Sequence, residues 1–246
     1  MPSLPVELGD FLLNGHLSKV KTLKKNLMKK SNDVLSKEVV EGLKWEPLLN
    51  SGKIEVSVHE GIVTLSGTVD NYNNKKQAEH TVKHISGVKS VIDNIEVKLS
   101  ASSIRNDEDI AASVIKALKE KWAVPNHKVK VTVNDGWVTL EGILHWNFQR
   151  KAADNAIRYL DGVRGVIDQI QIEAEINNEI EKEIVRKALS RSWILDIGNI
   201  KVRVDGKTIF LSGIVSSLFQ KEEAERIAWD TTGVWYVDNE LIVEFD

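Results

Sequence analysis

One short pattern constrains this chain more than any other. Leu65-Ser66-Gly67, Leu140-Glu141-Gly142 and Leu211-Ser212-Gly213 share a form, and each is followed 20 residues later by a Gly-Val pair: Gly87-Val88, Gly162-Val163 and Gly233-Val234. The first glycines are 75 and then 71 residues apart. Three copies with one internal offset define a repeat, so the chain builds one small unit three times.

The apolar residues keep the same register. Ile54, Val56 and Val58 correspond to Val129, Val131 and Val133, and to Ile200, Val202 and Val204. Alternating β-branched residues predict a strand with one buried face. A second strand follows at Val63 and Leu65, Val138 and Leu140, and Ile209 and Leu211. Glu60-Gly61, Asp135-Gly136 and Gly206-Lys207 lie between the two and predict hairpins, with a different turn type in the third copy. A third strand carries Val91, Ile95 and Val97, then Val166, Ile170 and Ile172, then Val237, Leu241 and Val243. The gap in its alternation predicts a bulge or a bend.

Two helices complete the unit. Val39 and Leu43, Val114 and Leu118, and Val185 and Leu189 stand one turn apart before the hairpin. Ala78, Ala153 and Ala224 mark the second helix, between strands two and three, and the following Gly is placed to end it. The predicted fold class is α+β: three tandem α-β-β-α-β units, each a three-stranded sheet covered on one face by two helices. The expected division is an N-terminal extension at 1–32 and domains at 33–100, 101–175 and 176–246.

Composition narrows the function. The absence of cysteine excludes a disulfide framework, a zinc finger, a thiol nucleophile and a lipidated cysteine. A net charge of −3 argues against a dedicated nucleic-acid binder. By segment the net charge is +4 over 1–32, then −2, −1 and −4 over the three units. No apolar run reaches the roughly 18 to 20 residues that cross a bilayer, and no signal peptide is readable at the start. The expected compartment is therefore cytoplasmic, with periplasmic the alternative for a processed chain.

The segments Gly61 to Gly67 and Gly136 to Gly142, with the strands Val91 to Val97, Val166 to Ile172 and Val237 to Val243, resemble the BON domain family. The resemblance runs over about residues 33 to 246. The third copy departs from it at Lys207 and at Ile209-Phe210. It implies a non-catalytic binding module of bacterial stress-response, secretion and envelope proteins, associated with phospholipid membranes. It also implies a second possibility, since a cytoplasmic member binds potassium.

Catalytic signals are sparse. None of the six His recurs at an equivalent position. His80 and His84 lie one helical turn apart, a spacing that suits either a metal or a solvated face. Neither a nucleophile elbow nor a phosphate loop is present. No enzyme, cofactor or metal site is expected.

Aromatic and basic residues supply the candidate surface. Trp45, Trp122 and Trp193 close the first helix of each copy, and either lid the core or meet a lipid headgroup or a partner. Near the second helix stand Tyr72 with Lys75, Trp146 and Phe148 with Arg150, and Phe219 with Lys221. Aromatic beside basic suits an anionic phospholipid surface or a protein partner; staples and solvated helix starts are the plainer alternatives. From Phe11 to Asn32 there are six Lys and no acid. That segment reads as a basic amphipathic helix for a membrane or partner groove, a cap on the first domain, a loose extension, or a leader before a start at Met28. In a second reading the chain is a cytoplasmic sensor that binds a small ion or solute between its domains, and Asp107, Glu108 and Asp109 offer oxygen ligands at a domain junction.

Overall fold

A computed structural model describes residues 30–47, 49, 53–173 and 180–244, so the expected basic helix lies almost wholly outside the described residues. Unit 1 is α1 (Asn32–Lys44), β1 (Ile54–His59), β2 (Ile62–Val69), α2 (Tyr72–Lys83) and β3 (Ser90–Val97). Unit 2 is α3 (Asp107–Glu120), β4 (Val129–Asn134), β5 (Trp137–Leu144), α4 (Asn147–Ile157) and β6 (Gly165–Ile172). Unit 3 is α5 (Lys182–Ser190), β7 (Ile200–Asp205), β8 (Thr208–Val215), α6 (Leu218–Trp229) and β9 (Tyr236–Val243). In every sheet the middle strand pairs antiparallel with the first and parallel with the last. The parallel pairing requires a crossover, which the second helix supplies.

The repeat glycine is fixed by a close approach. A Cβ on Gly67, Gly142 or Gly213 would lie 2.0, 2.1 or 2.0 Å from the carbonyl oxygen of Lys53, Lys128 or Asn199, where the hairpin's first strand begins. Their φ angles of 116°, 155° and 125° lie where side chains are rare. The hairpin turns differ as their residues predict. Glu60 and Gly61, and Asp135 and Gly136, all have positive φ, as a type I′ turn demands, whereas in the third copy only Gly206 does, as in a type II′ turn.

The alternating residues face the helices. Val63, Leu65, Val138, Leu140, Ile209 and Leu211 are fully buried, against α1 positions Val39 and Leu43 and their counterparts. The gap in the third strand is neither a bulge nor a bend, because its ladder register is unbroken from Ser90 to Val97, Gly165 to Ile172 and Tyr236 to Val243. A polar residue fills the inward position instead. Asp93 meets Lys75 at 3.5 Å, Asp168 meets Arg150 at 3.4 Å, and the Asn239 amide donates to the Lys221 carbonyl at 2.9 Å. The same side chains accept from the backbone two residues on, at Ile95, Ile170 and Leu241. The strand keeps its period of two, and a hydrogen-bonded polar group takes one place in the stripe.

The second helices meet one another. Tyr72 of α2 is buried at 5% exposure within the apolar cluster of units 2 and 3, not that of its own unit. Arg150 of α4 lies 5.6 Å from the Trp229 ring of α6. Phe219 of α6 stacks on His84 of α2 at 3.9 Å, and Glu222 pairs with Lys83 at 2.6 Å. Each second helix thus offers its N-terminal half to the C-terminal half of the next: α2 to α4, α4 to α6, α6 to α2. The three units close head to tail into a ring.

Candidate functional site

This ring divides the aromatic and basic candidates into two groups. Those at the second helix are engaged within the fold. Lys75 and Arg150 pair with the third strand of their own sheets, and Lys221 meets it through its backbone carbonyl. Tyr72 fills the seam to unit 2. Phe219 packs on His84, and Trp146 stacks on Phe148 at 6.3 Å, leaving Phe148 45% exposed. His80 and His84 lie ring to ring at 4.2 Å, and His84 Nδ1 contacts the His80 carbonyl at 2.7 Å. Among the described residues no group of three or more His, Asp or Glu is placed to hold a metal ion.

The carboxylates at the unit 2 entry serve its hairpin. Asp107 accepts from the backbone N–H groups of Asp135 and Gly136 at 2.8 and 2.9 Å. Asn32 accepts from Glu60 in the same way at 3.0 Å. Glu108 and Asp109 stand exposed in the first turn of α3, where acidic groups favour the helix dipole.

The tryptophans at the end of each first helix belong to the other group. Trp45, Trp122 and Trp193 are 84%, 93% and 93% exposed. They do not lid the core. Leu43, Leu118 and Leu189 are the last core residues of their helices, and the chain then turns outward. Trp122 and Trp193 stand four residues past that leucine and Trp45 two. Large apolar groups this exposed at one place in three units contribute little to packing.

The basic partners of these indoles escaped the sequence reading. Lys44, Lys121 and Arg191 are exposed, one or two residues before each tryptophan. The signal was present as Lys-Trp, Lys-Trp and Arg-Ser-Trp, but the aromatic–basic pairs at the second helix drew the attention. A cation at the end of a helix is also favoured by the macrodipole, so fold and surface want the same charge there.

The ring's seams carry the strongest electrostatics. Burial alone would lower the Lys83 ammonium, but hydrogen bonds to Glu222 and Glu79 reverse this and raise its pKa. Burial would raise Glu79, but Lys83 and Lys76 pull it below the usual carboxylate range. Lys151, at the seam between units 2 and 3, is different. Burial lowers its pKa, and the attraction of Asp230 does not offset that. His80 is also lowered, by burial first and by the neighbouring His84 second.

The comparisons with known proteins agree with this architecture. A three-stranded sheet with two helices on one face, repeated in tandem, is the fold expected above. The BON domain model matches residues 31–98, 106–174 and 177–244, and the chain belongs to that family. It is 31% identical over 127 residues to "Osmotically-inducible protein Y" of Escherichia coli (strain K12), covering 50% of this chain and 63% of that protein. It therefore spans less than two thirds of that relative. Two structures of CdsD, a structural protein of the Type III secretion system of Chlamydia trachomatis, align at 17% and 16% identity with TM-scores of 0.23. They cover 85% of this chain and 96% and 92% of those chains. No helix among the described residues is long and apolar enough to cross a membrane.

Proposed function

We propose that this chain is a non-catalytic binding protein of the bacterial osmotic stress response, and that it docks on anionic phospholipid surfaces through three equivalent indoles. The observation that carries this reading is the exposure of Trp45, Trp122 and Trp193, each beside an exposed cation. Indole rings favour the headgroup level of a bilayer, where one edge is apolar and the other wet. A Lys or Arg near an anionic leaflet adds about 1 kcal/mol. Each contact is weak alone. Linkage in one folded chain turns the second and third into intramolecular steps, so avidity grows without new contacts. Relatedness to an osmotically inducible protein supports the physiological part of the proposal.

Vesicle co-sedimentation tests it. The full chain is expected to sediment with phosphatidylglycerol or cardiolipin vesicles at low salt and to be released as salt rises. Replacing Trp45, Trp122 and Trp193 together by Ala is expected to abolish sedimentation. Absence of binding to either anionic lipid, or a triple variant that binds like the parent, defeats the proposal.

A further inference from the structure

The three seams of the ring are not alike, and the difference lies at one helical position. The second residue of each inner helix is Asn73 in α2, Phe148 in α4 and Phe219 in α6. Phe219 covers His84 at the seam from unit 3 to unit 1, and Phe148 stacks on Trp146 at the start of α4. The helix caps are Asn71 in unit 1, Trp146 in unit 2 and Ser217 in unit 3. Where the amides replace the rings, between units 1 and 2, a cavity of about 520 Å³ opens. That is within the span of about 300–1,000 Å³ usual for small-molecule sites.

Its chemistry is polar yet neutral. Asn73 and Asn74 present amides, and Ser100, Ser103 and Tyr159 present hydroxyls. The charged groups in its wall are already paired. Asp70 meets Lys53 at 3.3 Å, Asp161 meets Arg105 at 3.2 Å, and Arg158 meets Asp154 at 2.6 Å. A bare ion would have to compete with one of these pairs. A neutral solute would leave them intact and use the donors and acceptors that remain. Arg158 lies in the wall held by Asp154, with its Nε buried beneath the surface. Tyr159 adds an aromatic ring that is 71% exposed and belongs to the same wall.

Planar amides, hydroxyls and a guanidinium around an exposed ring suit one ligand class. Vicinal hydroxyls pair with amide and guanidinium edges, and the C–H face of a sugar ring stacks on an aromatic. We propose that the seam between units 1 and 2 binds a small, neutral, polyhydroxylated solute, a sugar or polyol of one or two rings. This site is separate from the exposed indoles, and its fate does not bear on the membrane reading.

Titration of the full chain followed by amide chemical shifts tests it, with glucose, sorbitol, sucrose, trehalose and KCl as probes. Saturation is the readout, because excluded osmolytes raise the Tm of any folded protein. At least one sugar or polyol is expected to give saturable shifts at millimolar concentration, confined to residues 70–74, 99–103 and 158–161. Asn73→Phe, which puts here the ring that α4 and α6 carry at the same position, is expected to weaken binding at least tenfold while the shifts of unit 3 stay in place. Tyr159→Ala removes an exposed ring without touching a core and is expected to weaken binding too. Linear or scattered shifts with every sugar and polyol overturn the proposal. So does saturation by KCl with the sugars silent, or binding unchanged in both variants.

Discussion

The first and second helices of each unit make an instructive pair. Both carry aromatic and basic residues at recurring places, and both bury one apolar face on the same sheet. The second helices turn their remaining face to one another and consume their aromatics in seams. The first helices end in tryptophans that are 84–93% exposed. Recurrence alone therefore does not separate packing from recognition. What separates them is whether the recurring group has somewhere to go.

That contrast can be attacked directly. The largest effect is expected from Tyr72→Ala in the inner group. Truncating a large buried aromatic side chain costs about 3–5 kcal/mol, and this one also ties unit 1 to unit 2. Trp122→Ala in the outer group is expected to change stability by no more than about 0.5 kcal/mol, as for other exposed sites. Urea unfolding of the two variants compares them, and equal losses would end the distinction.

A second substitution sharpens the picture from the opposite side. Asn147 opens α4 at the position held by Tyr72 in α2 and Leu218 in α6, and it is only 2% exposed. Both atoms of its amide group are buried without partners among the described residues. Leaving a buried polar group unpaired costs about 1–3 kcal/mol. Asn147→Leu, branched at the same atom and matching Leu218, is expected to raise the unfolding midpoint by a similar free energy. A lower midpoint would mean that the amide is satisfied in solution.

The smallest effect concerns pH. His80 has a folded pKa below its ordinary value of 6.5, through burial and the adjacent His84. A histidine depressed in the folded state is protonated more readily in the unfolded chain. Stability is therefore undiminished above about pH 6.5 and declines as pH falls from there through the folded pKa. Glu79 adds its own loss only lower, as pH falls below its ordinary value of 4.5. Stability at pH 7.5 should exceed that at pH 5.5, and His80→Gln should flatten the difference; an unchanged slope in that variant would assign the effect elsewhere.

Much of the unit was legible in the sequence, for local reasons. The glycine at 67, 142 and 213 is dictated by a backbone contact inside one hairpin, so it recurs with the hairpin. The strand and helix stripes recur because each sheet must bury one face. Apolar residues alone leave a gap in the third strand that reads as a bulge or a bend. Including Asp93, Asp168 and Asn239, with Lys75, Arg150 and Lys221 on the facing helix, restores the alternation. The ring was not legible. Its contact position holds Tyr72, Asn147 and Leu218, three residues with no chemistry in common, because each seam solves a different packing problem. The exposure of the tryptophans was likewise hidden, since a residue just past a helix end has no periodicity to declare its direction.

Ring closure also settles what the assembly can become. A stack of repeats in a line keeps two unfinished faces and needs special terminal units to blunt them. Here the leading face of α6 is spent on α2, so no fourth unit can be accommodated without prising a seam apart. The molecule is its own cap. A second copy of the chain would have to meet it through surfaces other than these helix seams.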